Sequence, residues 1–63
     1  MADDALEETL RACLTEQVKV TLLLDGASVS GVVARVDGGL VELRDGAERV
    51  LVRIDRIAAV RRP

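Results

Sequence analysis

The apolar residues near the N-terminus recur every three to four positions, which is the spacing of one face of a helix. Asp4 and Glu7 form an acidic variant of the capping box, and acids suit the positive end of the helix dipole. The pattern predicts an amphipathic helix over residues 4–15, with Cys13 as a small buried hydrophobe. Its apolar stripe consists of Leu6, Leu10, Cys13 and Leu14.

From residue 18 onward the apolar positions alternate with polar ones, which is the period of a strand with one buried face. The alternating runs predict five strands, at residues 18–24, 28–36, 40–44, 48–54 and 57–60. The turn signals between them are Asp25-Gly26, Asp37-Gly38-Gly39 and Asp45-Gly46. Turns recur about every ten residues, as in a barrel of short strands. Gly31, inside the second strand, indicates a sharp bend that lets the sheet curl.

The last two predicted strands meet at a tight, charged corner. The run Val50–Ile54 alternates, with its β-branched residues on one face and Leu51 and Arg53 on the other. The charged break at Asp55 and Arg56 separates this strand from the short final one. We therefore expect the charged side chains of the corner to lie close together at one rim of a small β structure.

The order of these features resembles the two sequence signatures of the Sm-like family, which includes LSm and Hfq-like proteins. The first signature is an alternating strand, a polar-Gly turn, a glycine in strand two and an aspartate that closes that strand. It corresponds here to residues 18–22, Asp25-Gly26, Gly31 and Asp37. The second is strand four with an Arg-Gly-Asp-like corner, where Arg53 and Asp55 match and Ile54 replaces the glycine. The resemblance covers nearly the whole chain.

This resemblance implies a mostly β fold, in which an N-terminal helix precedes a five-stranded, strongly bent antiparallel sheet and residues 1–63 form one domain. It also implies a homo-oligomeric ring of about five to seven subunits, with strand four paired to strand five of the next subunit. Members of the family bind single-stranded RNA near the pore, through the loop after strand two and the corner between strands four and five. The matching positions are Asp37, Gly38, Gly39, Arg53, Asp55 and Arg56.

The chain also departs from the family pattern at this site. Gly38 and Gly39 stand where the family usually has an aromatic or other large side chain, often followed by Asn. The Lys-His pair of Hfq-like members is absent, and no aromatic residue is available to stack on a base, a contact worth about 1–3 kcal/mol. The two glycines are also explained as turn residues, Asp37 as a cap of its own turn and Asp55 as the partner of a neighbouring arginine.

Size and composition favour self-association. A chain of 63 residues has one small core, and this one contains no Phe, Tyr or Trp to bury large areas. One Cys excludes an internal disulfide, and one Cys without His leaves no zinc site, so neither a metal nor another cofactor is expected. Oligomerisation remains as the means of stabilising so small a domain.

The charges are unevenly distributed along the chain. Residues 1–16 carry five acids against Arg11 alone, whereas residues 17–63 carry eight bases against six acids. The net charge of −2 argues against indiscriminate nucleic-acid binding. No apolar run reaches the roughly 20 residues of a membrane span, and the acidic start is unlike a signal peptide. These features predict a cytoplasmic protein without a membrane partner, and a frayed tail at Arg61-Arg62-Pro63.

Two binding functions fit this sequence better than catalysis. The first is an Sm-like ring that binds single-stranded RNA. The alternative is a self-assembling or protein-partner-binding module on the same fold with weak or no RNA binding, which the missing aromatics and the acidic helix favour. An enzyme is not expected, because the chain has no His, no activated nucleophile arrangement and no metal-ligand cluster.

Overall fold

The computed structural model describes residues 2–63, with side chains described from residue 5 onward. In this range the chain forms a helix, α1 (Ala2–Glu16), followed by five antiparallel strands in one sheet. The strands are β1 (Lys19–Leu24), β2 (Ala27–Asp37), β3 (Leu40–Asp45), β4 (Glu48–Arg53) and β5 (Ala59–Arg61). The predicted fold class, a mostly β chain with an N-terminal helix and a five-stranded antiparallel sheet, is confirmed.

The corner before β5 is a short 3-10 helix, Ile54–Arg56, and β5 begins at Ala59 instead of the expected residue 57. The N–H of Ile57 donates to the carbonyl of Ile54 at 3.1 Å, which closes the turn and leaves Ile57 buried. The N–H of Ala58 then donates to the carbonyl of Leu23 at 2.8 Å. Because this turn uses three residues, the final strand is shorter and starts later than the alternation suggests.

β2 changes its partner along its length, which allows the sheet to curl. Its first half, residues 27–32, pairs with β1, and its second half, residues 32–37, pairs with β3. Gly31 lies beside this change of partner, where a Cβ atom would stand 2.8 Å from the carbonyl oxygen of Arg44. The pairing irregularity itself falls further along, between Val33 and Arg35. Gly31 is therefore required by a close approach of β3 to β2 at the curl.

The core is aliphatic and lies between the curled sheet and α1. The helix packs mainly against β2 and contributes Leu10 and Cys13, both fully buried, as the helical stripe predicts. Leu6 and Leu14 cover the edge of the same core. The buried residues of the sheet and the corner are Val20, Leu22, Val33, Val36, Val41, Leu43, Val52, Ile54 and Ile57. The proposed capping contact of Asp4 lies outside the described side chains.

The helix ends abruptly at Gln17, which has a positive φ of 57°. The N–H of Gln17 donates to the carbonyl of Cys13 at 2.9 Å, and its side-chain amide donates to the carbonyl of Leu14 at 2.6 Å. These bonds satisfy carbonyls that the end of a helix leaves without partners. The chain can then reverse into β1 directly. Within residues 2–63, no helix has the length and apolar character needed to cross a lipid bilayer.

Gly31→Ala is expected to lower the free energy of unfolding by about 1–3 kcal/mol, because the added methyl group would overlap the backbone of β3. Gly31→Val should be worse still. Chemical unfolding followed by circular dichroism at a fixed protein concentration measures the change. Ser28→Ala, at an exposed position of the same strand, is the control and should stay within about 0.5 kcal/mol of the native chain. Equal stability of Gly31→Ala and the control would contradict the close-approach explanation.

Candidate functional site

The loop after β2 and the corner after β4 are held together by one backbone hydrogen bond. The N–H of Ile54 donates to the carbonyl of Gly39 at 2.9 Å, and Leu40 of β3 lies opposite Arg53 of β4 in the sheet. Between them is an open groove of about 350 Å³, which we call the corner groove. It is lined by Glu7, Gly38, Gly39, Leu40, Arg53, Ile54 and Asp55. Four of the six sequence-predicted site residues therefore meet here.

Gly38 and Gly39 form the wall of the corner groove that carries no side chain. Their φ angles are +58° and +77°, and two consecutive positive φ angles are the requirement of a type I′ hairpin turn. A Cβ built on either residue would meet no atom within 4 Å. The conformation of the turn accounts for both glycines. Because they have no side chains, the space is open where the Sm-like family usually has a large side chain.

The charges in the corner groove nearly cancel one another. Arg53 donates from Nη2 to Oδ2 of Asp55 at 3.1 Å, with the two side chains 66% and 55% exposed. Glu7, which reaches the groove from α1, is itself paired with Arg11 at 3.0 Å. Exposed pairs of this kind contribute about 0–1 kcal/mol each. The groove therefore presents one arginine beside two carboxylates, and it is not strongly basic.

Asp37 and Arg56, the other two predicted site residues, lie outside the corner groove. Asp37 accepts a hydrogen bond from Nη2 of Arg35 at 3.2 Å, two residues back along β2. The side chain is therefore engaged by its own strand, and the expected capping of the following turn is replaced by this contact. Arg56 ends the 3-10 helix and is exposed to solvent.

A second feature, which the sequence analysis did not single out, is an apolar patch on the outer face of β3 and β4. We call it the Leu40–Leu51 patch, because Leu40 is 40% and Leu51 is 65% exposed. The depression around it measures about 370 Å³ and is also lined by Arg35, Asp37, Gly38 and Glu42. The alternation of β4 placed Leu51 on the same face as Arg53, and a large apolar residue beside a charged one was the available signal.

The C-terminal tail is more ordered than the sequence suggests. Arg61 belongs to β5 and lies opposite Thr21 of β1, and Arg62 makes an ion pair with Glu16 at the end of α1. A shallow depression of about 320 Å³ lies beside the start of β1. It is lined by Lys19, Thr21, Arg61, Arg62 and Pro63. The expectation of a frayed tail is therefore wrong for Arg61, and it stays a prediction for Arg62 and Pro63.

The side chains at these surfaces are suited to non-covalent binding. Among the described side chains, no group of three His, Cys, Asp or Glu residues is placed to hold a metal ion. Cys13 is fully buried in the core. The corner groove offers one guanidinium, two carboxylates and exposed backbone groups, which suit hydrogen bonding and charge pairing.

No protein-family profile matches the chain, and no curated protein matches its sequence. Among solved structures, the chain is similar to the 1.55 Å crystal structure of Hfq, a pleiotropic translational regulator. The two agree with a TM-score of 0.80 over 90% of this chain and 88% of the other, at 19% sequence identity. A likeness this extensive at so low an identity is a likeness of fold. The helix, the curled five-stranded sheet and the tight corner thus constitute an Sm-like fold, as the two sequence signatures predicted.

Proposed function

We propose that this chain is the subunit of a homo-oligomeric ring of about five to seven copies, closed by head-to-tail pairing of sheet edges, and that the ring binds single-stranded RNA at its corner grooves. The observation that carries the proposal is the sheet order β4-β3-β2-β1-β5. Within residues 2–63, β4 and β5 each have a neighbouring strand on one side, so that each offers a free edge. Free edges with unpaired backbone groups promote association.

The inward-facing residues of the two edge strands support the same pairing. Val50 of β4 and Val60 of β5 are half-buried and pack against the core from the two edge strands. Pairing β4 of one subunit with β5 of the next would bring these two valines together and continue the core across the seam. The additional apolar burial stabilises association at roughly 25 cal/mol per Å² of surface removed from water. A chain without aromatic residues has much to gain from it.

The RNA-binding part of the proposal rests on Arg53 and on the open turn beside it. Arg53 lines a groove to which Gly38 and Gly39 contribute backbone only. A phosphate or base edge can therefore approach the peptide groups without meeting a side chain. In a ring each subunit would contribute one such groove. Several weak sites engaged by one strand act together, which raises the overall affinity.

One observation favours the second candidate, an assembly or partner-binding module with weak or no RNA binding. Asp55 already engages Arg53, and Glu7 adds another carboxylate to the corner groove. Carboxylates repel phosphates, and with no aromatic residue in the chain aromatic base stacking is absent as a compensating contact. Both candidate functions are binding functions, and both assume that the chain assembles into the proposed ring.

The ring is tested by the mass of the purified protein. Light scattering with refractive-index detection at micromolar concentration should give about five to seven times the 6.8 kDa of the chain. Val60→Asp should lower the mass, because a carboxylate at the seam would be buried without a partner. Ser28→Asp, exposed on β2 away from both edges, is the control and should leave it unchanged. A native protein with the monomer mass would refute the ring, and an intact Val60→Asp oligomer would refute this seam.

RNA binding is tested by fluorescence anisotropy with U-rich and A-rich oligonucleotides across a salt series. Arg53→Ala should weaken binding and reduce the salt slope by roughly 0.7 per lost phosphate contact. Asp55→Asn should strengthen binding, since it removes a negative charge and releases Arg53. Arg61→Ala, on β5 and outside the groove, is the control. If the native ring binds neither oligonucleotide at low salt, the module without RNA is the function. Native affinity of Arg53→Ala would show that RNA is held elsewhere.

A further inference from the structure

The two edge strands carry their charged side chains on the outer face of the sheet. On β4 this face consists of Arg49, Leu51 and Arg53, and on β5 of Ala59 and Arg61, while the residues between them face the core. The proposed seam extends the same curled sheet, so outer-face residues of one edge strand lie beside outer-face residues of the other. Arg61 would therefore stand opposite residue 49, 51 or 53 of the next subunit, whichever direction the two strands run.

Positive charges on β4 disfavour two of these three alignments. Like charges directly opposite one another destabilise a pair of strands. Arg49 already lies opposite Arg44 of β3, so Arg61 at this position would place three arginines side by side across the seam. Arg61 opposite Arg53 would likewise set two guanidinium groups together. Of the three positions, Leu51 is the one without a positive charge.

The surroundings of Leu51 also suit an arginine. Leu51 is 65% exposed and lies opposite Glu42 of β3. The carboxylate of Glu42 has a contact with Arg49 at 3.9 Å, which is longer than a hydrogen bond. Neighbouring strands are about 4.8 Å apart, so Arg61 opposite Leu51 would have Glu42 two strands away, at roughly 10 Å. An arginine can lay its aliphatic stem on an apolar surface while its guanidinium reaches toward a charge beyond it.

We propose that Arg61 of one subunit lies over Leu51 of the next, with its guanidinium directed toward Glu42, and that this contact sets the register of the β4–β5 seam. The inference rests on the proposed ring and names the residues that align it. Backbone hydrogen bonds and inward-facing valines favour the pairing of the two strands, but a shift by two residues keeps both. The arginines on either side of Leu51 penalise such a shift. One arginine thus selects one register, and every seam of the ring repeats it.

A double-mutant cycle on ring dissociation tests this register, with sedimentation velocity over a dilution series as the measurement. Leu51→Glu should form a tighter ring than Leu51→Lys by about 2- to 30-fold per seam, since one charge attracts Arg61 and the other repels it. Arg61→Ala should still form rings, because the backbone pairing is unchanged. In the Arg61→Ala background the difference between the two variants should disappear.

Effects on the single subunit have the opposite sign. Because Glu42 lies opposite residue 51 within the chain, a glutamate at position 51 is repelled and a lysine is attracted. A tighter ring in Leu51→Glu therefore cannot come from a more stable subunit. Ser28→Glu and Ser28→Lys place the same charges at an exposed position of β2. These two control variants should dissociate alike.

The same pair of substitutions at Arg49 and at Arg53 detects the other registers. A Glu-over-Lys preference at one of these positions that disappears in Arg61→Ala would place Arg61 opposite that residue and overturn the inference. Independence from Arg61 at all three positions would show that Arg61 lies outside the seam, which overturns the inference and leaves the ring intact. A native protein with the monomer mass would instead refute the ring, and the register with it.

Discussion

The structure depends most on the change of partner along β2. Because the first half of this strand pairs with β1 and the second half with β3, the sheet can curl, and the carbonyl of Arg44 on β3 lies close to Gly31. The same curl encloses the small core beneath α1 and separates β4 and β5 as the two edges of one sheet. It also brings the loop after β2 to the corner after β4, where Ile54 bonds to Gly39. The core, the two sheet edges and the corner groove thus all result from the curl of the sheet.

The side chains enclosed by the curled sheet limit the stability of a single chain. They are aliphatic, and valines supply much of the sheet's contribution, so that each residue buries a modest area. Val50 and Val60 pack against this core and are only partly buried. A single chain therefore leaves apolar surface and unpaired backbone groups at the same two edges. The proposed edge pairing between copies would remove both deficiencies at once, and it would link the stability of the chain to its assembly.

Much of this fold could be predicted from local patterns, because alternation and turn chemistry act within a few residues. The helical stripe placed Leu10 and Cys13 in the core correctly, and the paired glycines after Asp37 marked a hairpin turn. The late start of β5 could not be predicted, since the backbone bonds from Ile54 to Gly39 and from Ala58 to Leu23 join residues distant in sequence. The sequence predicted that the loop after β2 and the corner after β4 would lie together, but not the charges found there. Which arginine pairs with Asp37 or Asp55, and that Glu7 reaches the groove from α1, depends on the tertiary arrangement.

Each surface feature of the single subunit is weak when taken alone. Arg53 is one cation beside its own counter-ion, and Leu51 is one exposed leucine on a neutral surface. Surface ion pairs and isolated apolar residues are common on proteins and usually carry no function. A ring changes this assessment, because it fixes identical features at equal spacing on a rigid frame and allows one partner to meet them all. In the proposed ring, the edges of β4 and β5 would therefore determine whether the corner grooves act together.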